Sequence, residues 1–145
     1  MKQQEEDDDV EGRPRRFDIE LFIVHPTLDP ADITAALGFE PQHKHRVGDQ
    51  RKTPKGKLLS GNHSDTRWRH SVHLDAKGQW FASQVAEFVD RLTPHKNFLR
   101  KVRSTGGTAC VGIEFFGGGY FSDEIPRDTL AKILELELDF AIVVV

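Results

Sequence analysis

The chain has 145 residues, of which 37% are hydrophobic, and a formal net charge of −3. This length suits one domain with a single core, and ten Phe and two Trp supply the bulky side chains that disordered chains lack. The single cysteine, Cys110, excludes an intramolecular disulfide and a multi-thiolate zinc site. The longest apolar run, residues 140–145, is far shorter than the roughly 20 residues that span a bilayer. We therefore expect a cytoplasmic protein with no membrane segment.

Charge is distributed unevenly along the chain. Residues 1–11 contain six acids and one lysine, for a net charge of −5, and no aromatic residue. Such a block stays solvated, so we expect 1–15 to form a disordered acidic tail ahead of a single domain over 16–145. Residues 42–57 have the opposite charge. They contain six Lys or Arg and one acid, Asp49, for a net charge of +5.

Strict alternation of apolar and polar residues predicts the first strand over 16–24. Asp29 then suits a helix N-cap with Pro30 at the first helical position, and Gly38 suits the end of that short helix. Residues 41–65 are rich in Gly, Pro and charge and poor in apolar residues. They predict a long basic loop, with at most a short ribbon strand near 45–48.

Alternation resumes over 66–74 and predicts the second main strand. Apolar residues spaced by three and four predict an amphipathic helix from Gln79, which Pro94 interrupts before a shorter basic helix. A third strand is predicted over 108–116, followed by a glycine turn over 117–119.

A helix that opens at Pro126 and a strand over 138–145 complete the chain. The helix carries Leu130, Ile133 and Leu134 as its apolar residues. Because the last strand lacks alternation, we expect both of its faces to be covered or the strand to lie centrally in the sheet.

This order of elements predicts an α+β fold. The arrangement that we favour is a two-layer α/β sandwich of ferredoxin-like character, with a mostly antiparallel sheet and helices mainly on one face. A three-layer parallel fold would need strands that are apolar on both faces. The polar side chains of Asp18, Glu20, Arg67 and Arg69 speak against it.

Several short segments match one protein family. They are Leu28-Asp29-Pro30 with Ile33, Leu37-Gly38 and Pro41, then Arg46-x-Gly48-Asp49, Trp68-x-x-Ser71, Gly117 to Gly119, and Leu138-Asp139-Phe140. Through these residues the chain resembles the bacterial family catalogued as domain of unknown function 4279, over about residues 16–145. The resemblance implies a small intracellular bacterial domain. It brings no established activity, cofactor or catalytic residue.

Histidines are the best candidates for chemistry. His43 and His45 can share a face, and with His73 or Asp49 as a third ligand they could hold a divalent metal in a hydrolase. His70 and His73 would point to opposite faces of a strand. Neither Ser71 nor Cys110 lies in a frame typical of a nucleophile, and the glycine turn lacks a P-loop signature.

Our principal hypothesis is a non-enzymatic binding module without a cofactor. It would use the basic loop and the polar sheet face to bind an acidic protein surface or a small anionic ligand, by analogy with immunity proteins that block a toxin. The residues expected to make the contact are His43, His45, Arg46, Asp49, Arg67 and Arg69. Nucleic acid fits less well, because no aromatic residue interleaves the cations between Pro41 and Arg67. The oligomeric state stays open, with a homodimer as one option.

Overall fold

The computed structural model describes residues 16–75, 81–117 and 122–145. The expected acidic tail over 1–15 and most of the expected glycine turn lie outside these residues. The elements are β1 Arg16–His25, α1 Pro30–Leu37, β2 His43–His45, β3 Gln50–Lys52, β4 Leu58–Asn62, β5 Thr66–Asp75, α2 Phe81–Leu92, a 3-10 helix Thr93–His95, α3 Lys96–Ser104, β6 Thr108–Phe116, α4 Arg127–Glu135 and β7 Asp139–Val144. None of the helices in the described ranges is long and apolar enough to cross a membrane.

Five strands form the main sheet, in the order β2-β5-β1-β6-β7. All neighbours are antiparallel except β6 and β7, which are parallel. Helix α4 lies between these two strands in the chain and supplies the crossover that a parallel pair requires. The α+β class and the mostly antiparallel sheet are confirmed. A ferredoxin-like topology is not shown.

The core lies on one face of this sheet. The odd-numbered residues of β1 are fully buried there, and they join the apolar stripes of the helices in one cluster. Its members include Phe17, Ile19, Leu21, Ile23, Trp68, Val85, Phe88, Val89, Leu92, Leu99, Val102, Val111, Ile113 and Ile133. Alternation along β1 therefore identified the buried face correctly.

Helix α1 has the boundaries that its sequence predicts. The Asp29 side chain accepts a hydrogen bond from the N–H of Ala31 at 2.9 Å, and Gly38 is left-handed, with φ of 74°, and closes the last turn. Within the helix, the hydroxyl of Thr34 accepts the indole N–H of Trp68 at 3.0 Å. This bond fixes α1 against β5.

Our prediction of a long loop over residues 41–65 is wrong. Strand β2 adds to the main sheet through β5, and β3 and β4 form a separate two-stranded hairpin. The turn of this hairpin closes where the N–H of Thr53 donates to the carbonyl of Lys57 at 2.8 Å, with Gly56 at a φ of 86°. These strands are nearly all exposed, and their only apolar side chains in the described structure are Leu58 and Leu59 of β4. Without a buried face they leave no alternation to read.

Strand β7 also differs from expectation. It is an edge strand, and the side chains of Ile142 and Val144 are mainly exposed. Helix α4 likewise buries only Ile133 of its three predicted apolar residues, because Leu130 and Leu134 face outward. The unbroken apolar run of β7 predicted burial, but in the described structure most of these side chains are exposed.

His25 links the end of β1 to the end of α3. Its Nδ1 accepts the N–H groups of Thr27 and Leu28, each at 3.0 Å, and its Nε2 lies 2.7 Å from the hydroxyl of Thr105. These contacts require a neutral ring with the proton on Nε2. Burial lowers the pKa of His25 below its ordinary value, because the charged form is desolvated.

Stability should therefore fall in acid. A pKa that is lower in the folded state leaves the stabilisation complete above about pH 6.5 and removes it as pH drops through the folded pKa. In urea titrations from about pH 7.5 to 5, the His25→Gln variant should lose less unfolding free energy than the wild type. Equal losses in the two proteins would contradict this role for His25.

Gly107 is a position where the fold leaves no room for a side chain. A Cβ there would lie 2.6 Å from Cδ2 of His25 and 2.7 Å from the carbonyl oxygen of Val24. We expect Gly107→Ala to lower the unfolding free energy by about 2–3 kcal/mol, as overpacking does. Gly112→Ala is the matched control, because its Cβ would meet only the flexible side chain of Glu20 at 3.3 Å. It should cost less than about 1 kcal/mol, and equal costs would refute the account.

Candidate functional site

Pairing of β2 with β5 brings four of the predicted site residues together. His43 lies opposite Arg69, and His45 lies opposite Arg67. Directly opposed residues place their side chains on the same face. This is the polar face of the sheet, away from the helices.

A third histidine joins this group from the hairpin. The N–H of His63 donates to the carbonyl of Asp49 at 2.8 Å, and the N–H of Gly48 donates to the carbonyl of His63 at 2.9 Å. The ring of His63 stacks on that of His45, with centroids 3.6 Å apart and planes 7° apart. The His43 ring stands nearly perpendicular to His45 at 5.9 Å. Sequence analysis missed His63. Backbone bonds between residues 48–49 and residue 63 bring it next to His45, and we had expected this whole region to be a loop.

Asp65 lies next to the ring of His45. Its Oδ1 accepts a hydrogen bond from Nε of Arg67 at 3.1 Å and lies 3.5 Å from Nε2 of His45. The second distance is too long for a good hydrogen bond. Within the described residues, the buried Nε2 of His45 has no hydrogen-bond partner.

The electrostatics of the cluster oppose a charge on His45. Burial, followed by the neighbouring His63, lowers the pKa of His45, although Asp65 acts in the opposite direction. Burial alone would raise the pKa of Asp65, but the hydrogen bond from Arg67 and the nearby ring of His45 outweigh it and lower that pKa. These shifts favour a neutral His45 ring beside an ionised Asp65 carboxylate.

A cleft of about 780 Å³ opens between β2 and the hairpin. Its wall includes three histidines, two lysines, Lys44 and Lys52, and one aspartate. The lining residues are His43, Lys44, His45, Asp49, Gln50, Lys52, Thr53, Pro54, Leu58 and His63. Among the described residues, no carboxylate lies within 4.0 Å of the nitrogen of either lysine.

The three predicted arginines are occupied elsewhere. Arg46 pairs with Asp29 at the start of α1, at 3.4 Å, and Arg67 pairs with Asp65. Arg69 lies over the ring of Phe22 at 4.9 Å, with its Nε 3.6 Å from Glu20. Of the six predicted residues, His43, His45 and Asp49 therefore line the cleft, and the arginines support the surface around it.

Comparison with protein-family models shows the family to which the chain belongs. The family model described as Domain of unknown function (DUF4279) matches residues 15–144. The chain belongs to this family. Neither the curated proteins nor the solved structures include a match to it. The resemblance read from the sequence is thus confirmed, and membership in DUF4279 does not assign a function.

The predicted metal site does not assemble in the described part of this DUF4279 domain. Nδ1 of His73, a proposed third ligand, instead donates to the Asp18 carboxylate of β1 at 2.7 Å. No group of three or more His, Cys, Asp or Glu in the described ranges is arranged to hold a metal ion. His45 and His63 stack face to face and His43 stands edge-on to His45, whereas a metal site needs nitrogen lone pairs that converge on one point.

The two neighbours of His45 should shift its pKa in opposite directions. Asp65→Asn removes the group that raises the pKa of His45, so this pKa should fall further. His63→Phe keeps an aromatic ring in the stack but removes a titratable group that lowers the pKa, so the pKa should rise toward its ordinary value. Titration of the ring signals by NMR measures both. Shifts of the same sign in the two variants would contradict the electrostatic account.

Proposed function

We propose that this chain is a binding module that holds an anionic group in the cleft between β2 and the β3–β4 hairpin. The observation that carries the proposal is the composition of the cleft wall: three histidines and two lysines line the space, against one aspartate. The volume of about 780 Å³ lies in the range of small-molecule sites. The cleft is therefore large enough for a ligand, and its chemistry favours negative charge.

The charge of the wall depends on protonation. With neutral histidines, Lys44 and Lys52 against Asp49 give +1, and each proton taken up by an imidazole adds one more. A bound anion favours the charged imidazole. Because the complex then binds more protons than the free protein, affinity should increase as pH falls.

The unsatisfied nitrogen of His45 supports the same proposal. A buried polar atom that lacks a partner costs free energy, and His45 Nε2 lacks a hydrogen bond among the described residues. Protonation would make this nitrogen a donor. Asp65 and an anion in the cleft would both stabilise the charged ring.

Binding is a better proposal than nucleophilic catalysis for the residues at hand. Cys110 lies on β6, which two strands, β5 and β1, separate from β2. Burial, with Asp139 and Glu20, raises the pKa of its thiol, so the reactive thiolate is disfavoured. The Thr53 hydroxyl in the cleft wall accepts the N–H of Lys57 in the hairpin turn.

An acidic protein surface is the second candidate occupant. The hairpin favours it, because Arg51, Lys52, Lys55 and Lys57 are all exposed on one protruding element. A module of this kind would cover an acidic site on its partner, as immunity proteins do, by analogy of size and class. A small anion would contact the lysines of the cleft wall, whereas an acidic protein surface would contact cations along the whole hairpin.

Inorganic sulfate is the probe of choice, because its charge stays constant between about pH 6 and 8. We expect it to bind more tightly at the lower pH and to lose about tenfold in affinity in Lys44→Gln/Lys52→Gln, which removes about 1.4 kcal/mol of charge-assisted contact. NMR titration at constant ionic strength provides the dissociation constants.

Lys55→Gln/Lys57→Gln is the matched control, since it removes the same amount of charge from the hairpin but outside the cleft wall. It should bind sulfate as the wild type does. A poly-glutamate peptide that loses affinity equally in both double variants would favour the protein-surface occupant. Sulfate affinity that neither variant nor pH changes would exclude the cleft as an anion site.

A further inference from the structure

A second surface lies at the opposite edge of the sheet. We infer that β7, together with the adjacent side of α4, binds a second copy of this chain, with the two β7 strands antiparallel about a two-fold axis. The apolar edge formed by Leu130, Leu134, Ile142 and Val144 would be the centre of that interface. This inference is independent of the anion cleft.

The exposure of this edge is unusual for apolar side chains. Leu134, Ile142 and Val144 are 74%, 63% and 77% exposed, and the side chains of Leu130 and Val143 are also exposed. Such residues scattered singly need no explanation, but contiguous apolar surface on a soluble protein marks an interaction site.

Helix periodicity shows that the leucines face the same edge. Lys132 points toward α2, because its Nζ lies 2.7 Å from Asp90. Leu130 and Leu134 are two residues to either side, and thus about 160° around the helix from Lys132. Helix α2 packs over β1, whereas α4 packs against β7. The side of α4 opposite α2 therefore borders the outer edge of β7.

The backbone of β7 has free hydrogen-bonding groups along this edge. The N–H of Val145 donates to the carbonyl of Phe115 on β6 at 3.0 Å. Residues two apart in a strand direct their backbone groups to the same side, so those of Val143 also face β6. The groups of Ile142 and Val144 face outward, where no described strand pairs with them.

This edge lacks the devices that usually prevent strand pairing. Natural edge strands carry lysine, proline or a bulge, and β7 has none of the three. Its one charge, Asp139, is paired with Arg103 at 3.0 Å. Identical apolar patches are complementary to each other without any opposite charge, which suits an interface between two copies.

The size of the patch agrees with a dimer. Full burial of one such side chain removes on the order of 100 Å² of apolar surface, so the patch offers a few hundred Å² per copy. With the strand backbone and a polar rim, two copies would approach the lower end of the about 1,200–2,000 Å² buried in specific interfaces. Antiparallel pairing follows from the two-fold symmetry and would continue the five strands into a ten-stranded sheet.

The test is the mass of the full 145-residue chain in solution. Sedimentation at about 100 µM should give twice the chain mass of 16.5 kDa. Ile142→Lys/Val144→Lys should give one chain mass, because two charges would be desolvated next to their symmetry copies. Leu58→Lys replaces an exposed leucine on the hairpin, at the other edge, and should stay dimeric.

Amide hydrogen exchange separates loss of the interface from loss of the fold. Dimer formation should slow exchange at Ile142 and Val144 as concentration rises, and leave Val143, already bonded toward β6, unchanged. A wild type that sediments as a single chain overturns the inference. So does a dimer that persists in the folded double-lysine variant, because the contact would then lie elsewhere.

Discussion

The candidate site depends on the pairing of β2 with β5. Strand β2 has only three residues, so side chains must reinforce its backbone bonds. The amide of Gln42 both donates to the carbonyl of Ser71 at 3.1 Å and accepts its N–H at 2.7 Å, and the N–H of Gln42 itself donates to the carbonyl of Arg69 at 2.9 Å. At the other end of β2, the buried hydroxyl of Thr66 accepts the N–H of Val47 at 3.0 Å and donates to the carbonyl of Leu28. These bonds fix the histidines against the sheet and leave the hairpin to close the cleft.

Residues with a buried face could be predicted from the sequence, and residues without one could not. Alternation identified the inner side of β1, and Asp29, Pro30 and Gly38 identified the ends of α1, because local chemistry decides both. The hairpin was missed because neither of its strands has a buried face. His43, His45 and Asp49 were found by residue type, whereas His63 could be placed only by non-local backbone bonds.

The apolar run of β7 shows the converse error. Hydrophobicity predicts burial in general, but it does not say whether the chain itself or another molecule provides it. Strand β7 pairs with β6 on one side only, and its exposed residues are the kind that a partner buries. The cleft at the β2 edge and the apolar edge at β7 lie at opposite ends of one rigid sheet. A dimer would therefore present two clefts, each open to its ligand.

The central claim is that the cleft binds an anion through its imidazoles. Its most direct test is the pKa of His45, measured by NMR with and without saturating sulfate at constant ionic strength. A bound anion must raise this pKa, which burial and His63 hold below its ordinary value in the free protein. A rise in sulfate, lost in Lys44→Gln/Lys52→Gln, is the result that we predict. A pKa that is the same with and without sulfate would contradict the claim.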